Sequence, residues 1–112
     1  MALIDQYFNL LIGQKGSDLH LEEGQKPKIR IHGSLTEIGT DVLTKQRMTA
    51  LLSEIIPEDE WKIFQRKGDL DFAYTFIQER FRANYFRHFF GGCFFTHIGK
   101  NCFNGNVVGL IP

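Results

Sequence analysis

The sequence predicts an α+β fold, in which an antiparallel sheet of about six strands carries helices on one side. Apolar residues recur at three- and four-residue intervals in three segments, as in amphipathic helices. In six other segments they alternate with polar residues, as in half-buried strands. Short turns join most of the strands, which favours hairpins over parallel crossovers. The predicted element order is α-β-β-β-α-α-β-β-β.

The first third of the chain predicts one helix and three strands. Residues 2–14 have helical spacing and are followed by glycine, which commonly ends a helix. Residues 17–21 and 28–32 alternate, so we expect two strands there. Residues 35–38 follow the turn at Gly33-Ser34 and are predicted to form a third strand, which makes a hairpin with the second. Pro27 precedes the second strand, where its missing N–H removes no ladder hydrogen bond.

The middle of the chain predicts two helices. Thr44 can cap a helix over 45–56 with its side-chain oxygen. Pro57 ends that helix and opens the next, which runs to Lys67. The acidic residues 58–60 fit the first turn of this second helix, because carboxylates are stabilised at the positive end of the helix dipole.

The remaining pattern predicts three more strands. Residues 69–76 and 80–88 alternate, and residues 77–79 form the turn between them. A sixth strand is predicted over 93–98, after two glycines. The segment 99–112 is rich in Gly and Asn and is predicted to be a linker or an atypical tail.

Composition is typical of one soluble domain, which we expect to cover residues 1–98. The chain is 43% hydrophobic and 23% charged, unlike a disordered segment. The 13 Lys and Arg balance the 13 Asp and Glu, so total charge does not favour nucleic acid or an anionic membrane. A signal-peptide pattern and a membrane-length apolar run are both lacking, which predicts a cytoplasmic location.

A phosphate-binding loop is not predicted in this chain. The Walker A motif needs Gly-x-x-x-x-Gly-Lys followed by Ser or Thr. Gly99-Lys100 is the single Gly-Lys pair, with Phe94 in place of the first Gly and Asn101 in place of the Ser or Thr. We therefore expect no catalysis of nucleotide hydrolysis and no bound cofactor in this chain.

Four side chains of zinc-ligand type lie close together near the end of the chain, namely His88, Cys93, His97 and Cys102. Their spacing matches no structural zinc pattern, because structural sites repeat characteristic short ligand spacings. We expect buried, unreactive cysteines instead, and no metal site.

Two groupings resemble parts of nucleophilic sites. Cys93 with His97 could form a dyad, and Ser17 with Asp18 and His20 could form part of a triad. Such sites are recognised by geometry and not by nearness in sequence. In a short chain these neighbours arise by chance, and we expect no hydrolase activity.

The fifth predicted strand interleaves arginine with aromatic residues, a combination also found in single-strand nucleic-acid platforms. Alternation predicts a core face of Phe81, Ala83 and Tyr85, and an exposed face of Arg80, Arg82, Asn84 and Phe86. The neutral net charge makes nucleic acid the less favoured partner. An exposed cationic strand favours a partner that bears acidic groups or phosphates.

Several motifs in order resemble the secretion and pilus ATPase superfamily. Residues 16–21 read Gly-Ser-Asp-Leu-His-Leu and resemble the opening strand of that superfamily. The subsequent Gly24, Pro27 and Arg30 resemble its following turn and strand. Residues 69–74 and 80–86 resemble two later strands, Glu-x-Asp-Phe-Ser-Tyr and Arg-Phe-Arg-x-Asn-x-Phe. The pilus retraction (twitching-motility, PilT-type) branch fits best, because the first strand motif starts near the N-terminus.

The resemblance implies a PAS-like N-terminal domain of a hexameric pilus retraction or type II secretion-type ATPase. In that family a RecA-like ATPase domain, which is absent here, follows and binds ATP and Mg²⁺. The implied role is non-catalytic packing against the RecA-like domain of a neighbouring subunit, with domain motion that reaches the pilus platform at the inner membrane indirectly. The implied interface residues are Arg80, Arg82, Asn84 and Arg30, and Asp18 and His20 are implied to act at a hinge or in local hydrogen bonds.

The chain departs from the family pattern after the last strand motif. Thr96 stands where the family has Arg, and the tail is not acidic. These departures predict a fragment, a truncated or frameshifted product, or a free-standing protein. Two other functions stay open, a free-standing PAS-like sensor or protein-binding module and a nucleic-acid-binding domain. Self-association of the isolated domain is a further alternative.

Overall fold

A computed structural model describes residues 2–87 and 91–100 of the chain. The elements follow the predicted order, and the α+β class is confirmed. Their bounds are α1 Asp5–Gly13, β1 Asp18–Glu22, β2 Lys28–Ile31, β3 Ser34–Glu37, α2 Lys45–Ser53, α3 Glu58–Lys67, β4 Asp69–Phe76, β5 Glu79–Arg87 and β6 Gly91–Lys100.

The six strands form one sheet in the order β3-β2-β1-β6-β5-β4, and every neighbouring pair is antiparallel. The strand that comes last in the sequence, β6, lies in the middle between β1 and β5. It joins the three strands that precede the α2–α3 pair to the two that follow it.

The helices cover one face of the sheet, and Phe8 of α1 lies at the centre of the contact. Its side chain is fully buried. Its ring lies 4.6 Å from the ring of Phe81 and 5.0 Å from that of Phe95, measured between centroids, and it also contacts Tyr74 and Phe76. One helical side chain therefore ties together β4, β5 and β6.

The other two helices pack on the same face. The hydroxyl oxygen of Thr44 accepts a hydrogen bond from the backbone N–H of Arg47 at 3.1 Å, which confirms the predicted cap of α2. In α3, Phe64 stacks on Tyr85 of β5 with 3.9 Å between ring centroids. Gly68 ends α3 with a φ of 85°, a left-handed conformation that favours glycine.

Several boundaries differ from the sequence-based expectation, among them the end of α2, which lies at Ser53 and not at residue 56. Helix α1 begins at Asp5, three residues later than predicted, and a carboxylate oxygen of Asp5 accepts a hydrogen bond from the N–H of Ala2 at 3.2 Å. The β4–β5 turn has two residues and not three, because Glu79 already pairs with Phe76 in the ladder. Strand β6 runs to Lys100, two residues into the segment expected to be a linker, and residues 101–112 lie outside the described part of the chain.

Replacing Phe8 by alanine should lower the free energy of unfolding by about 3–5 kcal/mol, since it removes a fully buried ring and leaves a cavity. Urea unfolding measures this loss. The Phe94→Ala variant, which removes a half-buried ring from the opposite face, is the matched control and should cost about 1–2 kcal/mol. Should Phe8→Ala prevent folding, Phe8→Leu gives a smaller loss with the same ranking. Equal losses at the two positions would contradict the assignment of Phe8 as the centre of the core.

Candidate functional site: the open face of the sheet

Strand alternation leaves the second face of the sheet without a covering helix among the described residues. We call this surface the open face. Its central strands present side chains from β2, β1, β6 and β5, namely Lys28, Arg30, Asp18, His20, Phe94, Thr96, Arg82, Asn84 and Phe86. Five of the six residues that the sequence predicted for an interface or a hinge therefore lie on one surface.

The first row across the open face is polar. The register places Arg30 beside Asp18, Asp18 beside Thr96, and Thr96 beside Arg82. Asp18 accepts hydrogen bonds from Ser17 Oγ at 2.6 Å and from Thr96 Oγ1 at 3.2 Å. Its Oδ1 lies 3.9 Å from Nε of Arg30, which also donates from Nη1 to the carbonyl of Gly33. The carboxylate of Asp18 is thus occupied locally.

Arg82 differs from Arg30 in having no such local contact. It is exposed, and within residues 2–87 and 91–100 it has neither a hydrogen-bond acceptor nor an ion-pair partner. Its neighbours in the ladder are Ala73 and Thr96, neither of which carries charge. Arg82 can therefore bind a partner without breaking a contact to any of the described residues.

An aromatic ridge formed by His20, Phe94 and Phe86 lies beside the polar row, and it extends from the His20–Phe94 pair to Phe86 in the next row. The rings of His20 and Phe94 are stacked, with 4.1 Å between centroids and 16° between planes. Phe86 meets Phe94 edge-on at 5.2 Å and 83°. Gly92 makes room for Phe86, because a Cβ at position 92 would lie 2.7 Å from its Cζ. Beside the ridge, Asn84 Nδ2 donates to Asp71 Oδ1 at 2.9 Å.

The arrangement of the ridge bears on the nucleic-acid alternative. Base stacking needs an aromatic ring whose flat face is free. The stack covers one face of the His20 ring and one face of the Phe94 ring, and Phe86 adds a T-shaped contact to Phe94. The ridge lies next to arginine and amide groups, a combination that suits a protein surface.

The electrostatics of the open face are set by His20 and its charged neighbours. Partial burial lowers the pKa of His20 below 6.5, its ordinary value. The carboxylate of Asp18 raises this pKa and the guanidinium of Arg30 lowers it, both by smaller amounts than burial. At neutral pH the ridge is therefore uncharged, and the formal charges lie beside it.

Arg80 does not share the exposure that strand alternation predicted for it. The pairing of β5 with β6 shifts between Arg80 and Phe81, because Arg80 pairs with Gly99 whereas Phe81 pairs with His97. The extra residue of this bulge is Ile98 of β6, and β5 stays in regular register with β4. Arg80 is half-buried, and its Nε is buried without a partner in the described part of the chain. The prediction of an exposed Arg80 was therefore wrong.

Strand geometry keeps apart the side chains that were considered for a zinc site and for a Cys93–His97 dyad. Cys93 is buried on the core face, and burial raises the pKa of its thiol. His97 lies four strand residues away, about 13 Å along the strand, and its Nε2 is 2.6 Å from Glu79 Oε1. Residues 2–87 and 91–100 contain no group of three metal-binding side chains, and His88 and Cys102 lie outside them.

The triad grouping is not assembled either. Ser17 donates its hydrogen bond to Asp18, and the ring of His20 stacks on Phe94. A nucleophile needs a hydrogen bond to its base, and Ser17 has none to His20 in the described structure.

The aromatic ridge was not anticipated from the sequence. The alternation of β5 pointed to Phe86, but His20 and Phe94 are 74 positions apart and meet only because β1 pairs with β6. The one signal in the sequence was the surplus of aromatic residues in strands that also carry polar alternates.

Comparison with known proteins shows similarity both in sequence and in fold. No protein-family model matches the chain. The chain is 34% identical over 74 residues to the type IV pilus retraction ATPase PilT of Pseudomonas aeruginosa PAO1. The aligned region covers 65% of this chain and 22% of that protein. None of the described helices is long and apolar enough to cross a membrane.

Two solved structures share the fold. The Legionella pneumophila ATPase DotB aligns over 88% of this chain and 29% of its own, with a TM-score of 0.78 and 17% identity. The pilus retraction motor PilT with bound ADP aligns over 86% of this chain and 29% of its own, with a TM-score of 0.73 and 23% identity. The predicted resemblance to the N-terminal domain of a PilT-type secretion ATPase is confirmed. The chain spans about a fifth of the length of the curated relative it matches.

In the folded protein the His20 ring should titrate below pH 6.5, and Asp18→Asn should lower its midpoint further because that carboxylate stabilises the protonated ring. The unfolded chain keeps the ordinary value, so stability should fall as pH drops from about 6.5 through the folded-state pKa. Two-dimensional NMR of the ring protons measures the midpoint.

The His20→Phe variant is the control for this titration. It keeps the stack on Phe94 and should lose the part of the pH dependence that comes from His20. A midpoint above 6.5, or an upward shift in Asp18→Asn, would contradict the description of this site.

Proposed function

We propose, from the resemblance to the N-terminal domain of PilT-type secretion ATPases, that this chain is a non-catalytic packing domain of such a motor. Its open face binds the RecA-like ATPase domain of a neighbouring subunit. Motion of that domain during ATP hydrolysis is then transmitted through the open face. In this proposal the protein acts on the cytoplasmic side of the inner membrane, where it reaches the pilus platform indirectly.

The observation that carries the proposal is the composition of the open face. A sheet face that is destined for solvent usually carries mixed polar side chains, whereas this one carries an aromatic ridge flanked by arginines. Aromatic residues and arginine are the types enriched at protein interfaces. Arg82 supports the same interpretation, because it is exposed and uncommitted while the nearby Asp18 is satisfied within the chain.

The geometry at the end of β6 supports a role without catalysis. A phosphate loop needs consecutive backbone N–H groups that turn around the phosphates and lead into a helix. Gly99 and Lys100 are instead strand residues, paired with Arg80 and Glu79 of β5. ADP is bound in the PilT crystal structure, and we place nucleotide and Mg²⁺ on the RecA-like domain and not on this one.

Arg82 is the expected electrostatic contact with the ATPase domain, and Arg30 is the second. Both lie in the polar row of the open face, on either side of Asp18 and Thr96. A partner surface that places a carboxylate against Arg82 would gain a charge-assisted hydrogen bond that Arg82 does not make with any of the described residues. Asn84 can contribute an amide contact at the same surface, since its side-chain carbonyl is an acceptor while its Nδ2 donates to Asp71.

The Arg82→Glu change should weaken binding to the RecA-like domain of the Pseudomonas PilT by about ten-fold or more, and adding Arg30→Glu should weaken it further. Reversing a charge at an interface both removes an attractive contact and adds a repulsive one. Biolayer interferometry between the immobilised ATPase domain and the 112-residue chain measures this.

The control for this measurement is Lys62→Glu, a reversal of an exposed charge on α3, on the helical side of the sheet. It should leave binding unchanged. Equal weakening by Lys62→Glu and Arg82→Glu, or no binding by the unmodified chain, would contradict the proposal. Binding of single-stranded nucleic acid that is lost in Arg82→Glu would move the function to the nucleic-acid class instead.

A further inference from the structure

The open face carries carboxylates as well as arginines, and the two kinds of charge lie at different levels along the strands. Arg30 and Arg82 lie in the polar row, and Arg80 precedes Arg82 on β5, closer to the β4–β5 turn. Alternation directs all three toward the open side of the sheet. Arg82 is exposed, whereas Arg30 and Arg80 are half-buried. We call this part of the open face the arginine end.

The carboxylates lie at the other end of the same strands. Asp71 of β4 is paired with Asn84, and Asp69 is paired with Phe86 of the aromatic ridge. Glu22 of β1 lies in the same row as Asp69, on the other side of Phe86. Among residues 2–87 and 91–100, none of these three acids takes part in an ion pair. We call this part of the open face the acid end.

The separation between the two ends decides how a partner experiences their charges. Asp69 lies about 13 Å along the strands from the level of Arg82, and about 20 Å from that of Arg80. At physiological ionic strength the Debye length is about 8 Å, so exposed charges at the two ends are largely screened from each other. A partner therefore meets two local charges of opposite sign and not their sum.

The total charge of the open face would not attract an acidic partner. The strand pairs place on this face the cations Lys28, Arg30, Arg80 and Arg82 and the carboxylates Asp18, Glu22, Glu37, Asp69 and Asp71. Carboxylates are thus at least as numerous as cations. A surface that is acidic throughout would gain as much repulsion as attraction, so the position of each charge must determine binding.

We infer that the RecA-like domain of the neighbouring subunit, which is the partner in the proposed function, meets the open face in one orientation. An acidic group of that domain lies against Arg82, a basic group lies against Asp69, and an apolar surface covers the aromatic ridge. Complementary potentials fix the register of an interface and suppress wrong arrangements. Rotated by half a turn on the sheet, the same partner would bring like charges together at both ends. Asp69 is therefore a specificity-determining residue of this interface.

Biolayer interferometry between the immobilised ATPase domain of the Pseudomonas PilT and the 112-residue chain tests the inference. Asp69→Lys should weaken binding by about five-fold or more, because it removes an attractive contact and adds a repulsive one. Asp69→Asn keeps the size of the side chain and should weaken binding by about two-fold. A partner that is acidic throughout predicts the opposite sign for both variants, since each of them removes a repulsive carboxylate.

A double variant separates the position of the charges from their total. Arg82→Glu combined with Asp69→Lys leaves the net charge of the chain unchanged, and it should bind more weakly than Arg82→Glu alone. A partner that is acidic throughout would instead recover part of its binding through the new lysine. Asp59→Lys makes the same change of charge on α3, on the helical side of the sheet, and is the matched control that should bind normally.

The outcomes distinguish this inference from the proposed function. Stronger or unchanged binding of Asp69→Lys, with weaker binding of Arg82→Glu, overturns the inference and leaves the proposed function in place. No binding by the unmodified chain contradicts both. The chain could also bind a second copy through this face. Self-association that Arg82→Glu and Asp69→Lys each abolish, and that a mixture of the two variants restores, would assign the face to that copy and overturn the inference.

Discussion

The burial of Phe8 against the rings of three strands is the contact on which the rest of this structure depends. Tyr74, Phe81 and Phe95 come from β4, β5 and β6, and all of them meet this one helical side chain. The sheet can therefore close its core with helices on one face alone. Alternation then directs the other half of the strand residues outward, so the open face is a direct consequence of the way the core is made.

Two chemically different surfaces result from this one-sided architecture. The open face joins arginines to an aromatic ridge and presents charge to a partner. On the helical side, the carboxylate of Asp5 is held by Tyr74 and the N–H of Ala2. Of the two, the open face is the one that favours an acidic partner.

Structural features that depend on residues close together in the sequence, such as strand faces and helix caps, were predicted correctly. Phe81, Ala83 and Tyr85 alternate, and all three are buried as that alternation requires. Thr44 caps α2 because a hydroxyl at that position can accept the N–H of Arg47. The polar residues of the candidate site could be found in the same way, since Asp18, His20, Arg30, Arg82 and Asn84 each fall on the outward positions of their own strands.

The features that sequence could not supply depend on which strands are neighbours. Asp18 and Thr96 are hydrogen-bonded although 78 positions separate them in the sequence. Cys93 and His97, in contrast, are close in sequence but stay apart because both lie on one strand. The bulge beside the half-buried Arg80 arises from the register of β5 on β6, which no alternation within β5 reveals. The β4–β5 turn is likewise one residue shorter than the sequence pattern predicted, because Glu79 pairs with Phe76.

The central position of β6 has a consequence for how the chain can fold. Strands β1 to β3 and strands β4 to β5 are both made before β6, yet neither group contacts the other in the ladder without it. Until residues near Lys100 have been synthesised, the inner edges of β1 and β5 lack the strand that pairs with them in the folded sheet. Joining them requires contacts between residues at opposite ends of the sequence, which is the kind of closure that slows folding and exposes edges to aggregation. Without β6, the strands β1 and β5 would each have an unpaired edge, and the core would be incomplete.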